Sequence, residues 1–507
     1  MSGSVSGRAG RVIAAIDQGT TSTRCLLFDH DGQMVSLTQR EHRQYFPRPG
    51  WAEHDAEEIW RIVSRIVPAA VRDAGLEPGD VAAIGIANQR ETTVVWDRAT
   101  GRPVGRAITW QDTRTDEVLA RLDGTGAAAL VRERTGLPLA SYFAGPRLAW
   151  LLENTPGLAA RAARGEVLAG TMESWLVWRL TGGPDGGVHV TDVTNASRTM
   201  LMDLRTHRWD PDLLDLLGVP EQVLPRIVPN TGPFGTCTEV LPGVVIAGAI
   251  GDQQGALVGQ TCFAEGEIKC TYGTGAFLLA NTGARVVDST HGLIPTVGYH
   301  LGGHDPVYAL EGSIAVTGSL VQWMRDGLEM IPTAPQIETL ARTVEDNGGC
   351  YIVPAFSGLY APHWRTDARG VIVGLTSYVR RGHLARAVLE ATGWQTRDVV
   401  EAMIADSGIA LTGLKVDGGM TANHLLMQFV ADVLDVTVER PLVSETVSLG
   451  AAYVAGLAVG YWADLEGLRR NWRRAAAWHP AIDPDVRRRE AAHWDDAVAR
   501  ALGWRSD

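Results

Sequence analysis

At 507 residues the chain exceeds the roughly 250–300 residues at which single hydrophobic cores stop growing, so two domains are expected. Apolar residues make up 45% and charged residues 21%, as in soluble globular proteins, and the net charge of −12 argues against a general nucleic-acid or anionic membrane surface. Five cysteines, odd in number and without CxxC spacing, argue against a zinc or disulfide framework and fit a reducing compartment.

Residues 1–10 are Ser/Gly-rich with no apolar core, so they form no signal peptide and are expected to be a frayed tail. Two β-prone apolar runs, 12–16 and 25–29, flank a turn built on Gly19, Thr20, Thr21 and Ser22, which predicts a hairpin of buried strands. Gly19 lets backbone N–H groups approach an anion and the three hydroxyls add neutral donors. Asp17, at the strand end, is placed to hold the metal that accompanies a polyphosphate. Inert buried thiols are expected for Cys25 and Cys270, both inside strand patterns.

A strand and a loop over 30–49 precede a helix at 56–74, with Asp55 as its N-cap. A strand at 81–87 delivers Asn88-Gln89-Arg90-Glu91-Thr92-Thr93. Strands at 93–97 and 107–110 follow, the latter delivering Gln111 to Arg114. Helical patterns dominate to about Leu180, and 191–203 reads as a polar loop running into a strand. An apolar strand at 244–250 ends at Gly251-Asp252-Gln253-Gln254, where a helix begins, which is where α/β proteins place their chemistry.

The domain boundary is expected near 258–265, giving domains at 11–259 and 260–507. Residues 268–281 repeat the opening unit as strand, Gly273-Thr274-Gly275 turn, strand. Either turn alone is an ordinary hairpin; the pair suggests two half-clamps meeting across a nucleotide. A strand at 307–310, a helix from about Thr317 and a long helix at 382–406 follow. A short strand at 414–416 then leads into Asp417-Gly418-Gly419. Residues 447–462 are the longest apolar stretch, too short for a membrane span, and predict a buried helix packed through Gly456 and Gly460. No integral membrane segment is expected, and a cytoplasmic location follows. The Arg- and Trp-rich C-terminal region reads as helix, solvated and partly packed.

Several of these motifs together resemble the glycerol-phosphorylating members of the FGGY family of carbohydrate kinases. They are Asp17-Gln-Gly-Thr-Thr-Ser22, Asn88-Gln-Arg-Glu-Thr-Thr93, Thr194-Asn-Ala-Ser-Arg-Thr199, Gly251-Asp-Gln-Gln254, Tyr272-Gly-Thr-Gly275, Gln395-Thr-Arg-Asp398 and Asp417-Gly-Gly419, with 370–390 similar to the family's second signature. The resemblance runs from Val12 to about Tyr461. It implies an α/β fold of two actin-like ATPase (ribonuclease H-like) domains with an interdomain cleft. It also implies ATP-dependent phosphorylation of glycerol to sn-glycerol 3-phosphate, the first step of glycerol catabolism. The chain departs from the family pattern at Arg147, where relatives commonly carry Lys, and at Tyr360, where a Gly is usual. Residues 230–242 lack the glycine-rich loop resembling the fructose-bisphosphate site of some members, and the histidine-bearing regulatory loop of others has no counterpart.

By this resemblance Asp252 is the base; its alternative role is capping the helix that follows. Arg90 donates and Glu91 accepts, a complementary pair for a triol, or else a structural ion pair at a strand end. Tyr142 and Gln253 join the substrate contacts, and Trp110 and Phe277 sandwich the carbon frame; without the resemblance the aromatic residues read as core. Thr20, Thr21, Ser22 and Arg24 meet the β- and γ-phosphates, with Thr274 opposite. Gly318, Gln322, Gly419 and Asn423 line the adenosine pocket. Mg²⁺ is held by Asp17 and Asp252 largely through water. The absence of GxxxxGK[ST] excludes a P-loop. Expected partners are glycerol and MgATP, without nucleic acid, in a homodimer or homotetramer. The rivals are a kinase of the same family acting on a pentulose, and an actin-like nucleotide binder without kinase activity.

Overall fold

The first apolar run forms β1 (Val12–Gln18), every residue of it buried, in the computed structural model, which describes residues 11–504. The expected frayed tail at 1–10 lies outside the described residues. β1 turns back into β2 (Ser22–Phe28) and then β3 (Met34–Glu41), an antiparallel meander in which Asp17 pairs with Arg24. Helix α1 (Ala56–Asp73) starts where expected, because the Asp55 side chain accepts from the backbone N–H groups of Glu57 and Glu58. β4 (Val81–Asn88) runs parallel to β1, and β5 (Thr231–Thr236) and β6 (Val245–Gly251) complete a six-stranded sheet of order β5-β6-β4-β1-β2-β3. β6 is parallel to β4 and runs directly into α2 (Asp252–Gly259).

Two expectations fail in this region. A strand, Val167–Thr171, interrupts the helices expected before Leu180 and pairs with Thr93–Asp97, because its alternating residues face a tryptophan-rich core built on Trp96, Trp175 and Trp178. The segment read as a polar loop at 191–203 is buried: Asp192, Thr194, Asn195 and Arg198 are all fully enclosed and hydrogen-bonded to one another or to neighbouring strands. Its polarity serves an internal network rather than solvent.

The chain divides into two compact units that do not follow chain order. The first comprises residues up to Thr261, then Pro295–Tyr308 and Glu445–Trp472; the second comprises Cys262–Ile294, Ala309–Ser444 and the chain from Arg473. In the second unit the repeated hairpin consists of β7 (Ile268–Tyr272) and β8 (Ala276–Gly283). Helices α3 (Gly318–Asp326) and α4 (Arg381–Ser407) follow, the latter burying Val388, Ala391, Val399 and Met403 as its period predicts. β9 (Leu414–Asp417), α5 (His424–Leu434) and β10 (Val438–Pro441) come next, and the sheet carries the strands β8-β7-β9-β10 in that order.

Helix α6 (Thr446–Ala458) belongs to the first unit, although it lies late in the chain. It is the buried apolar helix expected, but its close contacts differ from those expected. Gly460 falls beyond its end and Gly456 faces Trp462, whereas Gly450 lies against Gly255 and Thr446 against Gly259, so near that a Cβ on Gly450 or Gly259 would overlap the facing carbonyl oxygen. The C-terminal region is also more structured than expected. β11 (Arg474–Trp478) extends the second sheet beside β10, and Trp494, on the helix Pro484–Ala501, is fully buried and donates to Asp398 Oδ2 at 2.8 Å. Cys25 and Cys270 are buried and unpaired as expected, and burial pushes the Cys25 thiol up to about 12. Among the described residues no helix is long and apolar enough to cross a membrane.

Candidate active site

In the first unit several of the predicted site residues lie at the carboxyl ends of three neighbouring parallel strands. Asp17 of β1, Ala87 of β4 and Ile250 of β6 lie in register, so β4 delivers Arg90 and Glu91 between the hairpin turn and Asp252. With two strand spacings between them, β1 and β6 are about 10 Å apart.

The hairpin turn closes through Gly19, whose N–H donates to the Ser22 carbonyl at 2.9 Å. Asp17 is buried, and its Oδ2 accepts from Arg24 Nε at 2.9 Å and from Ser448 Oγ at 2.8 Å. Arg24 also pairs with Glu445, and its guanidinium pKa is raised, first by the Asp17 charge. Its cation is therefore engaged by two carboxylates of its own unit. Thr21 is exposed and Thr20 and Ser22 half-buried. Thr20 Oγ1 accepts from the Trp110 indole at 3.1 Å, and Ser22 Oγ from Gln39 at 2.9 Å.

Arg90 is buried at the end of β4, with Nε 3.3 Å from Asp252 Oδ1 and Nη1 donating to Gln254 Oε1 at 3.3 Å. Asp252 is the first residue of α2, with Gly251 at the cap position, and its Oδ1 accepts from the Gln253 N–H at 2.7 Å. The carboxylate therefore serves the helix end and the Arg90 guanidinium together, and its side chain remains 30% exposed. Gln253, beside it, is buried.

Glu91 has φ of 63°, the left-handed region that a non-glycine residue occupies at a cost of about 1–2 kcal/mol. Its Oε1 accepts from Arg198 Nε at 2.7 Å, and the Arg198 guanidinium lies 5.6 Å from the centre of the Tyr142 ring. Tyr142 meets Trp110 edge to face at 5.8 Å. A third guanidinium, Arg147, is fully buried behind this group and donates to the main-chain carbonyls of Tyr142, Phe143, Trp110 and Glu91. Phe277 lies on β8 and so belongs to the second unit, where it pairs with Thr271.

A buried polar network fixes the two strand ends. Asn88 and Asn195 exchange amide hydrogen bonds at 2.9 and 3.0 Å, and Asn195 Nδ2 donates to Asp192 at 2.6 Å. Thr194 Oγ1 donates to Asp192 and accepts from the Gly251 N–H at 2.9 Å. Asn230 bridges Asp192 to the Ala249 carbonyl. Burial pushes the Asp192 carboxyl up, and that of neighbouring Glu173 further.

In the second unit, Thr274, Gly318, Gln322, Gly419 and Asn423 all line one cavity of about 320 Å³, together with Arg325, Ile337, Glu338 and others. Gly318 is required by close approach, since a Cβ there would sit 2.4 Å from the Gly273 carbonyl oxygen. Gly418 has φ of 90° and turns the chain out of β9 against Tyr272. Asn423 caps α5 by accepting from Leu426 N–H at 2.9 Å, which leaves its side-chain NH₂ outside the cap.

Sequence reasoning missed Arg198, Gln254, Asp192 and Ser448. Arg198 and Gln254 lay inside quoted motifs, whereas only tertiary contact marks Ser448. Among the described residues no group of three or more His, Cys, Asp or Glu side chains forms a metal cage. A buried carboxylate with one oxygen uncommitted to Arg24 or Ser448 does fit a Mg²⁺ that arrives with its own phosphates and waters.

Residues 12–259 match the N-terminal domain of the FGGY family of carbohydrate kinases and residues 268–459 its C-terminal domain. The chain is 60% identical to glycerol kinase 2 of Streptomyces coelicolor over 98% of both chains. It is 57% identical to glycerol kinase of Chloroflexus aurantiacus, covering 97% of this chain and 99% of that one. Among solved structures it is similar to Plasmodium falciparum glycerol kinase with ADP, with a TM-score of 0.92 and 38% identity over 97% of this chain and 98% of that one. A xylulose kinase from Lactobacillus acidophilus, 22% identical with a TM-score of 0.84 over 97% and 96% of the two chains, shares the fold.

Proposed function

The chain belongs to the FGGY family of carbohydrate kinases, and from that premise we propose that it transfers the γ-phosphoryl group of ATP to glycerol, giving sn-glycerol 3-phosphate and ADP. The observation that carries this reading is the joint presence of Arg90, Glu91 and Asp252 at adjoining strand ends, with Glu91 held in a left-handed backbone by its surroundings. An actin-like nucleotide binder needs the phosphate hairpin and has no use for that acceptor set.

Arg90 and Glu91 orient the triol by donating to and accepting from its hydroxyls, and the Trp110–Tyr142 pair covers its carbon frame. Asp252 receives the proton of the attacking hydroxyl as the new O–P bond forms and the bond from Pγ to the ADP oxygen breaks, the electron pair leaving with ADP. A carboxylate is too weak a base to remove an alcohol's proton in the ground state, but it can accept that proton once the oxygen has become acidic. Thr20, Thr21 and Ser22 offer hydroxyl and backbone donors to the phosphates, and the cavity with Gln322, Gly419 and Asn423 suits adenosine. Asp17 and Asp252 would hold a Mg²⁺ that accompanies ATP, through its waters since Mg²⁺ gives them up reluctantly, and the ion would offset the charge of the phosphates. Arg24, tied to Asp17 and Glu445, acts chiefly by fixing Asp17.

The test is ADP release measured with glycerol, dihydroxyacetone, erythritol and a ketopentose. Glycerol is expected to give the highest kcat/KM. A ketopentose that outcompetes it would reassign the substrate, and ATP hydrolysis unaffected by any of them would remove the kinase reading.

A further inference from the structure

We propose that Arg147 is a positioning residue that sets the shape of the glycerol pocket by tying its three separately delivered segments together through their main chains. This rests on the glycerol reading given above. Arg147 lies on the helix Ala144–Asn154, and the hydrogen bonds of its guanidinium go to main-chain carbonyls. Its Nη1 donates its two hydrogens to the carbonyls of Tyr142 at 2.8 Å and Phe143 at 2.9 Å, with the Glu91 carbonyl at 3.4 Å sharing one of them, and its Nη2 donates to the carbonyl of Trp110 at 2.8 Å. Glu91, Trp110 and Tyr142 thus come from three stretches of chain and meet on one guanidinium.

A carbonyl anchored at its oxygen fixes its peptide plane, and through it the direction in which the residue's side chain leaves. The effect is greatest at Glu91, whose left-handed backbone persists only where its surroundings over-determine it. Two donors meet the Glu91 carbonyl, Arg147 and the Thr93 hydroxyl at 3.0 Å. Burying a cation among carbonyls is costly, and burial lowers the Arg147 pKa to about 10, which leaves it charged at neutral pH. A planar fork of donors suits this task, because its bonds share one rigid plane.

The experiment compares Arg147→Met, Arg147→Gln and Arg147→Lys by steady-state kinetics on the full chain, varying glycerol at saturating ATP and then ATP at saturating glycerol. Arg147→Met is expected to raise the glycerol KM by about tenfold or more with the ATP KM within about twofold, the pattern of a lost binding interaction. Arg147→Gln should fall between, and Arg147→Lys, which keeps three donors, should return the glycerol KM to within about threefold of the parent. Equal rises in both KM values, an unchanged glycerol KM in Arg147→Met, or failure of both the Met and Gln variants to fold would overturn the proposal. An unsubstituted protein that does not phosphorylate glycerol would instead overturn the reading beneath it.

Discussion

Replacing Asp252 by Asn removes its charge, and with it both proton acceptance and its share in holding Mg²⁺, while keeping its shape. Asp252 Oδ1 takes the Gln253 N–H at 2.7 Å and sits 3.3 Å from Arg90 Nε, and an asparagine Oδ1 is able to keep both contacts in the same volume. The loss to the fold is then the carboxylate's attraction to the helix N-terminus, about 0.3–1 kcal/mol at a partly exposed site, together with its charge against the buried Arg90 guanidinium. The loss to catalysis is the whole of the base's contribution. General-base assistance is commonly worth about 10²- to 10⁴-fold, or about 3–5 kcal/mol of barrier. Because the amide still hydrogen-bonds a hydroxyl, the glycerol KM should stay within about threefold. Initial rates of ADP formation across a glycerol series, with a thermal melt of the same sample, measure all three quantities. A kcat within about tenfold of the parent would show that the proton goes elsewhere, and a raised KM at full kcat would reduce Asp252 to a binding group.

Gly419 lines the cavity of the second unit and a Cβ there meets nothing within 4 Å, so Gly419→Val should raise the ATP KM by about tenfold while melting normally. Gly318→Ala should instead lower the melting temperature, because its new methyl collides with the Gly273 carbonyl. Thr194→Val keeps the shape but leaves the Gly251 N–H buried without an acceptor, at a cost of about 1–3 kcal/mol; since Gly251 precedes Asp252, kcat should fall more than the glycerol KM rises, by steady-state kinetics. Burial lowers the pKa of His54 to about 3, with His42 adding to the effect, and lowers that of His189 to about 4. Both folded values lie below the unfolded value near 6.5, so their stabilisation is complete above that pH and is lost as pH falls beneath it. The two together contribute a slope of about 2.7 kcal/mol per pH unit. The raised carboxyls of Glu173, Asp192 and Glu390 work in the opposite direction, so the test is a difference: lowering the pH from about 7 to about 5 should move the denaturation midpoint of the parent downward relative to that of the His54→Asn, His189→Asn double variant.

What the sequence made legible was local. The opening hairpin, the Asp55 cap, the strand running into Asp252 and the period of α4 each follow from a few adjacent residues, and all appear in the fold. The strand at Val167–Thr171 was hidden because its neighbours carry helical patterns, and the pairing that makes it a strand comes from Thr93–Asp97. Polar residues at Asp192, Thr194 and Asn195 looked solvated because a sequence does not show that Asn88, Asn230 and Gly251 wait to bond them. In the site the motif residues were legible as a set, but their partners were not. Arg198 holding Glu91 is a contact across 107 positions, and only the folded chain shows Gln254 against Arg90.

The placement of α6 bears on how the protein is made. Asp17 relies on Ser448, 431 positions downstream, and Arg24 on Glu445, 421 positions downstream. A ribosome therefore releases the opening hairpin long before the helix that locks it exists. The opening unit must wait, incompletely assembled, while almost all of its companion is translated. A chain that stops ahead of residue 445 would lack the partners of Asp17 and Arg24, with every residue of the opening hairpin still present.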